Sequence, residues 1–469
     1  MPANPAYIPH LQQNNSDFAL AIYTHRSTIY FVMNNLAQDA TKNVAVFIND
    51  FYSELPGALD KLAKRLGRPL KGVMLIDKTA HTLGRYHPDK DHIFGKVICD
   101  FSNPGELRRT IKELEDTMLL IDTVSERGQP YFKLVLPHVA YLPTPTESSL
   151  EWATHKGQMR TIVGAYNPNL VPHVQVIRDN SEDTISSLLN TLKLPYIVKP
   201  TGLAASILVN KVSSEAELRE TLEHSFETIH DIYARDAGRW EPEMIVEEFM
   251  EGDMYSIDAY VNDAGKVWCL PPIRSKTAHS LGMEGFYTYQ NESYLDIDAD
   301  TIAAGQTAAS DAIHALGLRS CAAHIELFLT PTGWKIIELG PRPGGYRQFM
   351  YATAYGIDHA YNDLSVKVGL EPEIPTKAIG YSLITNTYAE EEGIIDAIEG
   401  IEEARAIASV SDIWVHAKAG DFALPSGKGG NLIVDSEMSN TSQEQLLADA
   451  AKLRDCISIR TKQLANSLA

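Results

Sequence analysis

The segment at residues 323–345 constrains the fold of this chain more than any other part of the sequence. Apolar, β-prone residues flank a turn candidate, Pro-Thr-Gly, at positions 331–333. A three-residue hairpin loop needs a type I turn followed by a left-handed residue, and proline and glycine suit those two places. We therefore predict a β-hairpin whose loop pairs Thr330 with Trp334.

This register places two glutamates, Glu326 and Glu338, directly opposite each other. Their Cβ atoms would then be roughly 5 Å apart, and two carboxylates at that distance repel unless they share a proton or a cation. Mg²⁺ typically takes one or two carboxylates together with substrate phosphates. We interpret the pair as a metal site, with Arg342, four residues beyond Glu338, as a candidate phosphate clamp.

The overall composition excludes several classes of function. The chain has 469 residues and a formal net charge of −20, which argues against nucleic-acid and anionic membrane partners because both need a basic surface. The four cysteines are scattered without metal-type spacing, so we expect a reduced, cytoplasmic setting. We see neither a signal-peptide pattern nor an apolar stretch of membrane-spanning length.

Apolar runs alternate with helical patterns from about residue 17 to residue 140. Buried strands are predicted in this part at 18–23, 43–48, 72–76, 96–99 and 118–121. Because helical patterns such as 104–115 lie between some of them, we predict an open parallel α/β sheet. The proline-rich stretch at 136–147 is a domain-boundary candidate, and a helix is expected to begin near Ser148.

From Pro195 the pattern changes to strand, loop, strand and helix. The helix is predicted at 215–233, with strands following near 244–246 and 255–261. The last hundred residues alternate short strands and helices. Their glycine-rich stretch at 427–430 lacks the spacing of a phosphate loop, so we interpret it as a hairpin turn.

A predicted strand ends at Lys199-Pro200 and leads into a loop of small residues that includes Ser206. Small residues let backbone N–H groups approach phosphate oxygens, and a lysine adds a point charge. Upstream, Lys156 and Arg160 lie one helical turn apart on one face. Taken alone, the Lys199 stretch is equally compatible with an ordinary surface turn, whereas an exposed basic face is the better interpretation of Lys156 and Arg160.

An acidic strand end supplies a candidate binding site for a base. The predicted strand at 244–246 leads into Glu247 and Glu248, followed by Phe249 and Met250. A carboxylate there can accept from an adenine amino group while the apolar pair flanks the ring. The alternative is a solvated acidic turn, which is the better interpretation when this stretch is taken by itself.

Three further residues are weaker candidates. His324 shares a strand face with Glu326 at period two, which suits either a group next to the site or a core histidine. Arg274 and His279 belong to a basic loop after a strand, which can meet an anionic intermediate or simply face solvent.

The stronger signals occur in one order along the chain: Lys156, Lys199 with its small-residue loop, Glu247 to Met250, Glu326, Glu338 and Arg342. This order and spacing resemble the ATP-grasp superfamily over about residues 150–350. The resemblance implies an α/β (α+β) chain with the ATP-grasp fold. Its expected parts are an N-terminal open parallel α/β domain at 1–145, an ATP-grasp domain at 146–370 with a lid at about 185–250, and a C-terminal α/β domain at 371–469.

The resemblance also implies roles in ATP binding, position by position. Lys156 and Lys199 are similar to the two lysines that hold the α- and β-phosphates, under a loop that keeps Ser206. Glu247 is similar to the glutamate that receives the adenine amino group, and the backbone around Phe249 and Met250 would form the hinge to adenine.

For the metal and the transferred phosphoryl group, the resemblance assigns Glu326 and Glu338 as Mg²⁺ ligands and Arg342 as the arginine that steadies that group. Met254 stands where many members have a ribose-binding glutamate, which leaves Asp253 or Asp258 for the ribose. Leu208 and Gly340 depart from the family pattern too, standing where glycine and a third metal ligand, asparagine, are usual.

The tail of the motif selects a branch of the superfamily. Arg342-Pro-Gly-Gly resembles the amino-acid and dipeptide ligases rather than the biotin carboxylases. The resemblance therefore implies a ligase that makes an acyl phosphate from a carboxylate and ATP and joins it to an amine, with small-molecule substrates. Arg274 and His279 are candidates to meet the acceptor, and a homodimer is compatible with the resemblance.

Two other functions remain open at this point. One is carboxylation of a small substrate through carboxyphosphate. The other is a nucleotide-binding regulatory protein without turnover. The altered positions Leu208 and Gly340 support this function, whereas the intact set argues against it: Lys199, Glu326, Glu338 and Arg342.

Overall fold

A computed structural model describes residues 39–82, 94–202, 208–236, 242–282, 287–425 and 431–463. These residues form four sheets, of four, four, nine and three strands. The four cysteines are free thiols. Among the described helices, none combines the length and the apolar character that crossing a membrane requires.

The N-terminal part is a parallel sheet with strand order β3-β2-β1-β4. Its strands and helices, in chain order, are β1 (Val44–Ile48), α1 (Leu55–Leu66), β2 (Lys71–Asp77), α2 (Lys78–Thr82), β3 (Gly95–Cys99), α3 (Pro104–Leu114), β4 (Met118–Asp122) and α4 (Gln129–Val135). Every residue of β1 and β4 is buried, as expected for parallel strands covered on both faces. The predicted open parallel sheet is thus confirmed. The strand predicted at 18–23 lies outside the described residues.

The second sheet is antiparallel, with strand order β5-β8-β6-β7. Its region contains α5 (Glu147–Thr154), α6 (Lys156–Tyr166), β5 (Val174–Ile177), α7 (Glu182–Thr191), β6 (Tyr196–Pro200), β7 (Asn210–Val212), α8 (Glu215–Asp236) and β8 (Met244–Glu248). Apolar residues of α7 and α8 pack on β6 and β8 and form a separate small core.

The nine-stranded sheet carries the predicted hairpin. Its central region contains β9 (Asp253–Val261), β10 (Val267–Cys269), β11 (Ile273–Thr277), β12 (Thr288–Glu292), α9 (Ala299–Ala315), β13 (Cys321–Thr330), β14 (Gly333–Gly340), α10 (Arg347–Tyr355) and α11 (His359–Lys367). Helix α9 packs on one face of the sheet, and apolar residues of α10 and α11 pack on the other.

The C-terminal part completes this sheet and adds a small one. It contains β15 (Tyr381–Thr387), β16 (Gly393–Glu399), α12 (Ile401–Arg405), β17 (Val410–Val415), β18 (Phe422–Ala423), β19 (Val434–Asn440), α13 (Gln443–Cys456) and β20 (Ser458–Lys462). Strand β15 pairs with β12, so strands on both sides of residue 370 share one sheet. The boundaries at 145 and 370 stay predictions. The stretch at 427–430 lies outside the described residues.

The hairpin register differs from the prediction at its tip and agrees with it at the glutamates. Thr330 pairs with Gly333 rather than with Trp334, so the predicted three-residue loop is wrong and two residues form the loop. A register shift between Glu326 and Leu327 then adds one residue to β14, which is a β-bulge. The bulge compensates for the shorter loop, and Glu326 lies opposite Glu338 as predicted.

Candidate functional site

The two glutamates lie on a partly exposed surface of the sheet. Glu326 pairs with Glu338 on one side and with Ser256 of β9 on the other, so the three side chains point to the same face. The side chains of Glu326 and Glu338 are 31% and 36% exposed, which leaves both carboxylates accessible to a cation.

Lys156 contacts this pair from the start of α6. Its Nζ lies 3.2 Å from Glu338 Oε1, and the lysine is buried. The imidazole of His155 caps the helix by accepting from the backbone N–H of Gln158, which fixes the first turn. The backbone N–H of Lys156 donates to Thr201 O at 2.9 Å, so the helix start is also tied to the end of β6.

Lys199, near the end of β6, belongs to a buried charge cluster with Glu247 and Arg160. Lys199 Nζ pairs with Glu247 Oε1, and Arg160 Nε lies 2.9 Å from Glu247 Oε2. Burial opposes ionisation of Glu247, but Arg160 and Lys199 outweigh it and lower the pKa of Glu247 to about 2. Burial lowers the pKa of Lys199, and Glu247 opposes that shift. In this structure, Glu247 therefore pairs with Lys199 and holds its side chain in place.

The residues after Glu247 lie at one end of the second sheet. Glu248 ends β8, and the backbone N–H of Phe249 donates to Pro195 O at 2.9 Å. Lys211 Nζ lies over the Phe249 ring, 4.0 Å from its centre. The centres of the Phe249 and His279 rings are 5.4 Å apart, and the two rings are perpendicular. Partly buried Met250 follows in the turn toward β9. His279, exposed in a short 3₁₀ helix, is thus brought next to the predicted adenine segment.

Arg342 lies in the loop after the hairpin and meets the N-terminal part of the chain. Its Nε lies 2.9 Å from Glu126 Oε2, and Gln129 Nε2 donates to Pro341 O at 3.2 Å. Burial opposes protonation, but Glu126 raises the pKa of Arg342. Sequence reasoning missed Glu126 and Gln129. Their position just beyond the carboxyl end of β4, where α/β sheets bind ligands, was the available signal.

Asp258 is not placed to bind a ribose. It is fully buried, and its oxygens accept from His324 Nδ1 at 2.6 Å, His359 Nε2 at 2.8 Å and the backbone N–H of Gly344 at 2.8 Å. A sugar hydroxyl would have no access to this carboxylate. The structure therefore contradicts the predicted ribose role of Asp258.

Arg274 is also placed away from the glutamates. It pairs with Tyr255 on β9, whereas Glu326 pairs with the next residue, Ser256, and consecutive strand residues point to opposite faces. Its guanidinium lies 2.7 Å from buried Glu292 and 3.1 Å from Asp296. This placement contradicts the predicted substrate contact of Arg274 and makes it a partner for a buried carboxylate.

The phosphate loop is only partly described. Ser206 lies outside the described residues, so its predicted contact stays a prediction. Leu208, at the far end of the loop, has φ 54°. This left-handed conformation is the one that glycine adopts without cost, so leucine keeps the backbone shape that the family's usual glycine would provide.

A third residue near the site, Arg347, was also missed. Arg347, the first residue of α10, is buried, and its Nη2 lies 2.8 Å from Ser256 Oγ and 3.3 Å from Asn291 Oδ1. It therefore lies on the face of the sheet that carries Glu326. The sequence feature that could have indicated Arg347 is its position shortly after Arg342.

The two facing carboxylates fit a metal ion whose other coordination positions are filled by a bound ligand and water. Within the described ranges, no group of three or more His, Cys, Asp or Glu side chains could hold a metal ion by itself. Two facing carboxylates suit Mg²⁺ when phosphate oxygens and water fill its other positions. The residues present therefore fit a magnesium–nucleotide complex rather than an all-protein metal site.

Two lysines that pair with glutamates, a facing glutamate pair and an arginine on the following loop lie on or beside the second sheet and the nine-stranded sheet. This is the set of residues that the ATP-grasp resemblance implies. Residues 192–348 match the family model of the ATP-grasp domain. This segment therefore matches an ATP-grasp domain, and the chain resembles ATP-grasp carboxylate–amine ligases.

Known proteins with similar sequences cover part of the chain. The uncharacterized protein y4rH of Sinorhizobium fredii is 22% identical over 290 residues, which are 61% of this chain and 56% of that protein. The D-alanine–D-alanine ligase of Shouchella clausii is 28% identical over 192 residues, 38% of this chain and 46% of the ligase. The chain thus spans about half the length of the curated relatives that it matches.

Among solved structures, the L-amino acid ligase from Bacillus licheniformis superposes with a TM-score of 0.71 at 19% identity. The match covers 90% of this chain and 99% of that structure. This likeness establishes the fold.

Proposed function

We propose that this protein is an ATP-dependent ligase that activates a carboxylate as an acyl phosphate and joins it to an amine, with release of ADP and phosphate. Amino-acid or peptide-like molecules are the proposed substrates, consistent with the names of the relatives. The observation that carries the proposal is the facing pair of Glu326 and Glu338, with Lys156 on Glu338 and Lys199 held in a buried ion pair.

ATP would lie between the second sheet and the hairpin. Lys199 and Lys156 would contact its phosphates, and Glu247 would keep Lys199 extended toward them. The Phe249 N–H already donates to Pro195 O and the Glu248 N–H to His173 O, so adenine contacts would fall to the Glu248 carbonyl and the backbone of Met250. Both oxygens of Glu247 already pair with Arg160 or Lys199. Glu247 would therefore accept a hydrogen bond from the adenine amino group only through an oxygen that also contacts one of these cations.

Glu326 and Glu338 would hold Mg²⁺ together with the phosphates. When bound, the ion withdraws charge from the phosphoryl oxygens and reduces their repulsion toward an anionic nucleophile. The chain contributes two oxygen donors in fixed cross-strand positions. Because Lys156 already contacts Glu338, a positive charge is kept at this carboxylate before any ligand arrives.

In the first step, an oxygen of the substrate carboxylate attacks the γ-phosphorus as the bond to the β,γ-bridging oxygen breaks, and ADP leaves. Arg342 would steady the three phosphoryl oxygens, since a guanidinium binds such oxygens through two N–H groups. In the second step, the amine attacks the acyl carbon, phosphate leaves with the bonding pair, and the nitrogen loses a proton. His279 stays a candidate for contact with the amine.

An acyl phosphate hydrolyses unless water is excluded. The second sheet with α7 and α8 is a separate layer with its own small core, which suits a lid that closes over bound ATP. The predicted lid at 185–250 covers most of it. Cytoplasmic location and a homodimer stay predictions.

The test is a substrate screen with purified protein, ATP and Mg²⁺ against a panel of amino acids and other small carboxylates and amines. ADP release together with a new amide in the mass spectrum is the expected result. AMP and pyrophosphate as products would contradict the acyl-phosphate route.

Two controls in the same screen address the other functions. Release of ADP that depends on bicarbonate would indicate a carboxylase. Tight ATP binding without ADP release on any substrate would indicate a regulatory protein. The wild-type protein and the Glu338→Gln variant are run side by side, so that contaminating ATPase is recognised.

A further inference from the structure

A chain of buried polar side chains runs from the core of the sheet to the glutamate pair. Its members, in order of contact, are Tyr260, His359, Asp258, His324 and Glu326. The first four side chains are nearly or fully buried, and Glu326 is the end that reaches the partly exposed surface. Nothing in the proposed reaction so far uses the four inner residues.

Asp258 is the branch point of this chain. Oδ1 accepts from His324, and Oδ2 accepts from both His359 and the backbone N–H of Gly344. Tyr260 Oη contacts the other ring nitrogen of His359 at 2.5 Å, which fixes that imidazole. A fully buried carboxylate with three such partners has one orientation, because turning it would leave at least one partner unpaired in the core.

Two sets of contacts connect Asp258 with the candidate site. In the first, His324 Nε2 lies 3.5 Å from Glu326 Oε1, so the imidazole contacts the carboxylate of the proposed metal ligand. In the second, the Gly344 amide ties down the loop that contains Arg342. The two sets of contacts meet, since a Cβ on Gly344 would lie 2.4 Å from His324 Nδ1.

We infer that Asp258 is a positioning residue that sets the orientation of the proposed metal ligand Glu326 through His324 and, through Gly344, the position of the loop that carries Arg342. The metal site and the phosphoryl-binding arginine are thereby aligned by a single buried carboxylate. The inference rests on the proposed function, because it takes Glu326 as a metal ligand. Partners that orient metal ligands typically change metal affinity or activity about 10- to 100-fold when removed.

Asp258→Asn is the first variant. An amide offers one acceptor oxygen in place of two, so its NH2 group faces either His324 or the His359–Gly344 pair and the charged acceptor on that side is lost. Gly344→Ala is the second variant, because an added Cβ would meet His324 Nδ1 and Arg347 Cγ, so the imidazole or the loop must shift while the Asp258 side chain itself is unchanged. Two matched controls are Gly345→Ala, where an added Cβ meets nothing within 4 Å, and His416→Gln, which breaks a 2.6 Å pair between His416 and Asp435 in the C-terminal part.

The readout is Mn²⁺ affinity in the presence of a non-hydrolysable ATP analogue, measured by water-proton relaxation, with analogue affinity in EDTA measured separately. We expect Asp258→Asn and Gly344→Ala to weaken Mn²⁺ binding by about 10-fold or more, while analogue affinity without metal and both controls stay within about twofold. Because Gly344→Ala disturbs His324 and the loop while Asp258 is intact, it tests whether these two contacts align the metal site even if Asp258→Asn fails to fold.

Wild-type Mn²⁺ affinity in either folded variant would overturn the inference, as would an equal loss in the Gly345→Ala or His416→Gln control. Failure of the proposed function has a different signature, which is wild-type protein that binds Mn²⁺ and the analogue but forms no amide. The metal measurement does not depend on turnover, so the two failures are distinguishable.

Discussion

Lys156 and Glu338 form an ion pair with an Nζ–Oε1 distance of 3.2 Å, between the first turn of α6 and the last strand of the hairpin. One partner is a proposed phosphate ligand and the other a proposed metal ligand. The pair therefore occupies the place where the triphosphate and Mg²⁺ would meet. On binding of the metal and the triphosphate, Lys156 would exchange a carboxylate for phosphate oxygens with little loss of electrostatic stabilisation.

Replacing Glu338 by glutamine should remove a metal ligand and leave Lys156 without this ion-pair partner. We expect kcat for ADP release to fall by at least about 100-fold, the upper end for losing a group that only orients a metal ligand. Steady-state kinetics over a Mg²⁺ titration measures the effect. The matched control is Glu371→Gln, an exposed glutamate paired with Lys266, and unchanged activity in Glu338→Gln would contradict the metal assignment.

Replacing Glu247 by glutamine should destabilise the protein, because Arg160 and Lys199 would then be buried without a counter-charge. Breaking a buried ion pair on one side typically costs about 3–5 kcal/mol in free energy of unfolding. Urea unfolding without nucleotide measures it. Glu182→Gln breaks an exposed pair with Arg219 and should leave the unfolding midpoint nearly unchanged, and an equally small shift for Glu247→Gln would contradict the assignment.

The lowered pKa of Glu247 predicts that the free energy of unfolding depends on pH. The pKa of Glu247 is lowered from 4.5 to about 2 in the folded protein, so the unfolded chain binds more protons in this interval. The stability that ionised Glu247 contributes is therefore present above about pH 4.5 and is lost as the pH falls toward 2. Unfolding free energies of wild type and Glu247→Gln should converge over this interval, and a constant difference would contradict the prediction.

Arg342→Lys should separate phosphoryl binding from ATP binding. A lysine keeps the charge but lacks the planar fork that contacts two oxygens at once. We expect kcat to fall by about 100-fold, the scale for losing one transition-state donor, while KM for ATP changes little. The control is Arg219→Lys on the surface, and a rise in the KM for ATP with unchanged kcat would reassign Arg342 to ground-state binding.

Gly252→Ala tests how the turn between β8 and β9 approaches the hairpin. Gly252 has φ 152°, and a Cβ there would lie 2.1 Å from Leu329 O. The variant should lose about 1–3 kcal/mol of stability from backbone strain alone, with a lower thermal midpoint. Gly57→Ala is the control: it lies in α1, where an added Cβ meets nothing within 4 Å and alanine favours the helix, so its midpoint should not fall.

The sequence predicted the parts of the site that depend on local pattern. The parallel sheet followed from apolar runs between helical patterns, and Glu326 opposite Glu338 followed from the hairpin. The predicted pairing of the glutamates was right although the predicted loop was wrong. The loop is one residue shorter than predicted, and the bulge in β14 adds one residue and restores the register at the glutamates. Local sequence carries little information about a bulge whose position depends on the neighbouring strand.

The errors concern residues whose side-chain direction depends on long-range pairing. Arg274 is in a basic stretch near the site, yet the register of β11 against β9 turns it to the opposite face. Asp258 is two residues from Ser256 on the site face, yet three distant partners bury it. The contact between Arg342 and Glu126 joins residues 216 positions apart, which periodicity cannot reveal.

The bulge in β14 has a consequence for how this hairpin tolerates change. It separates the ladder into a tip, where Thr330 meets Gly333, and a base, where Glu326 meets Glu338 and is also aligned by Ser256 of β9. Because the base has its own alignment, residues inserted at positions 331–332 should lengthen the tip without moving the glutamates. The tip is therefore a natural insertion point for a reporter tag that leaves the spacing of the acidic pair intact.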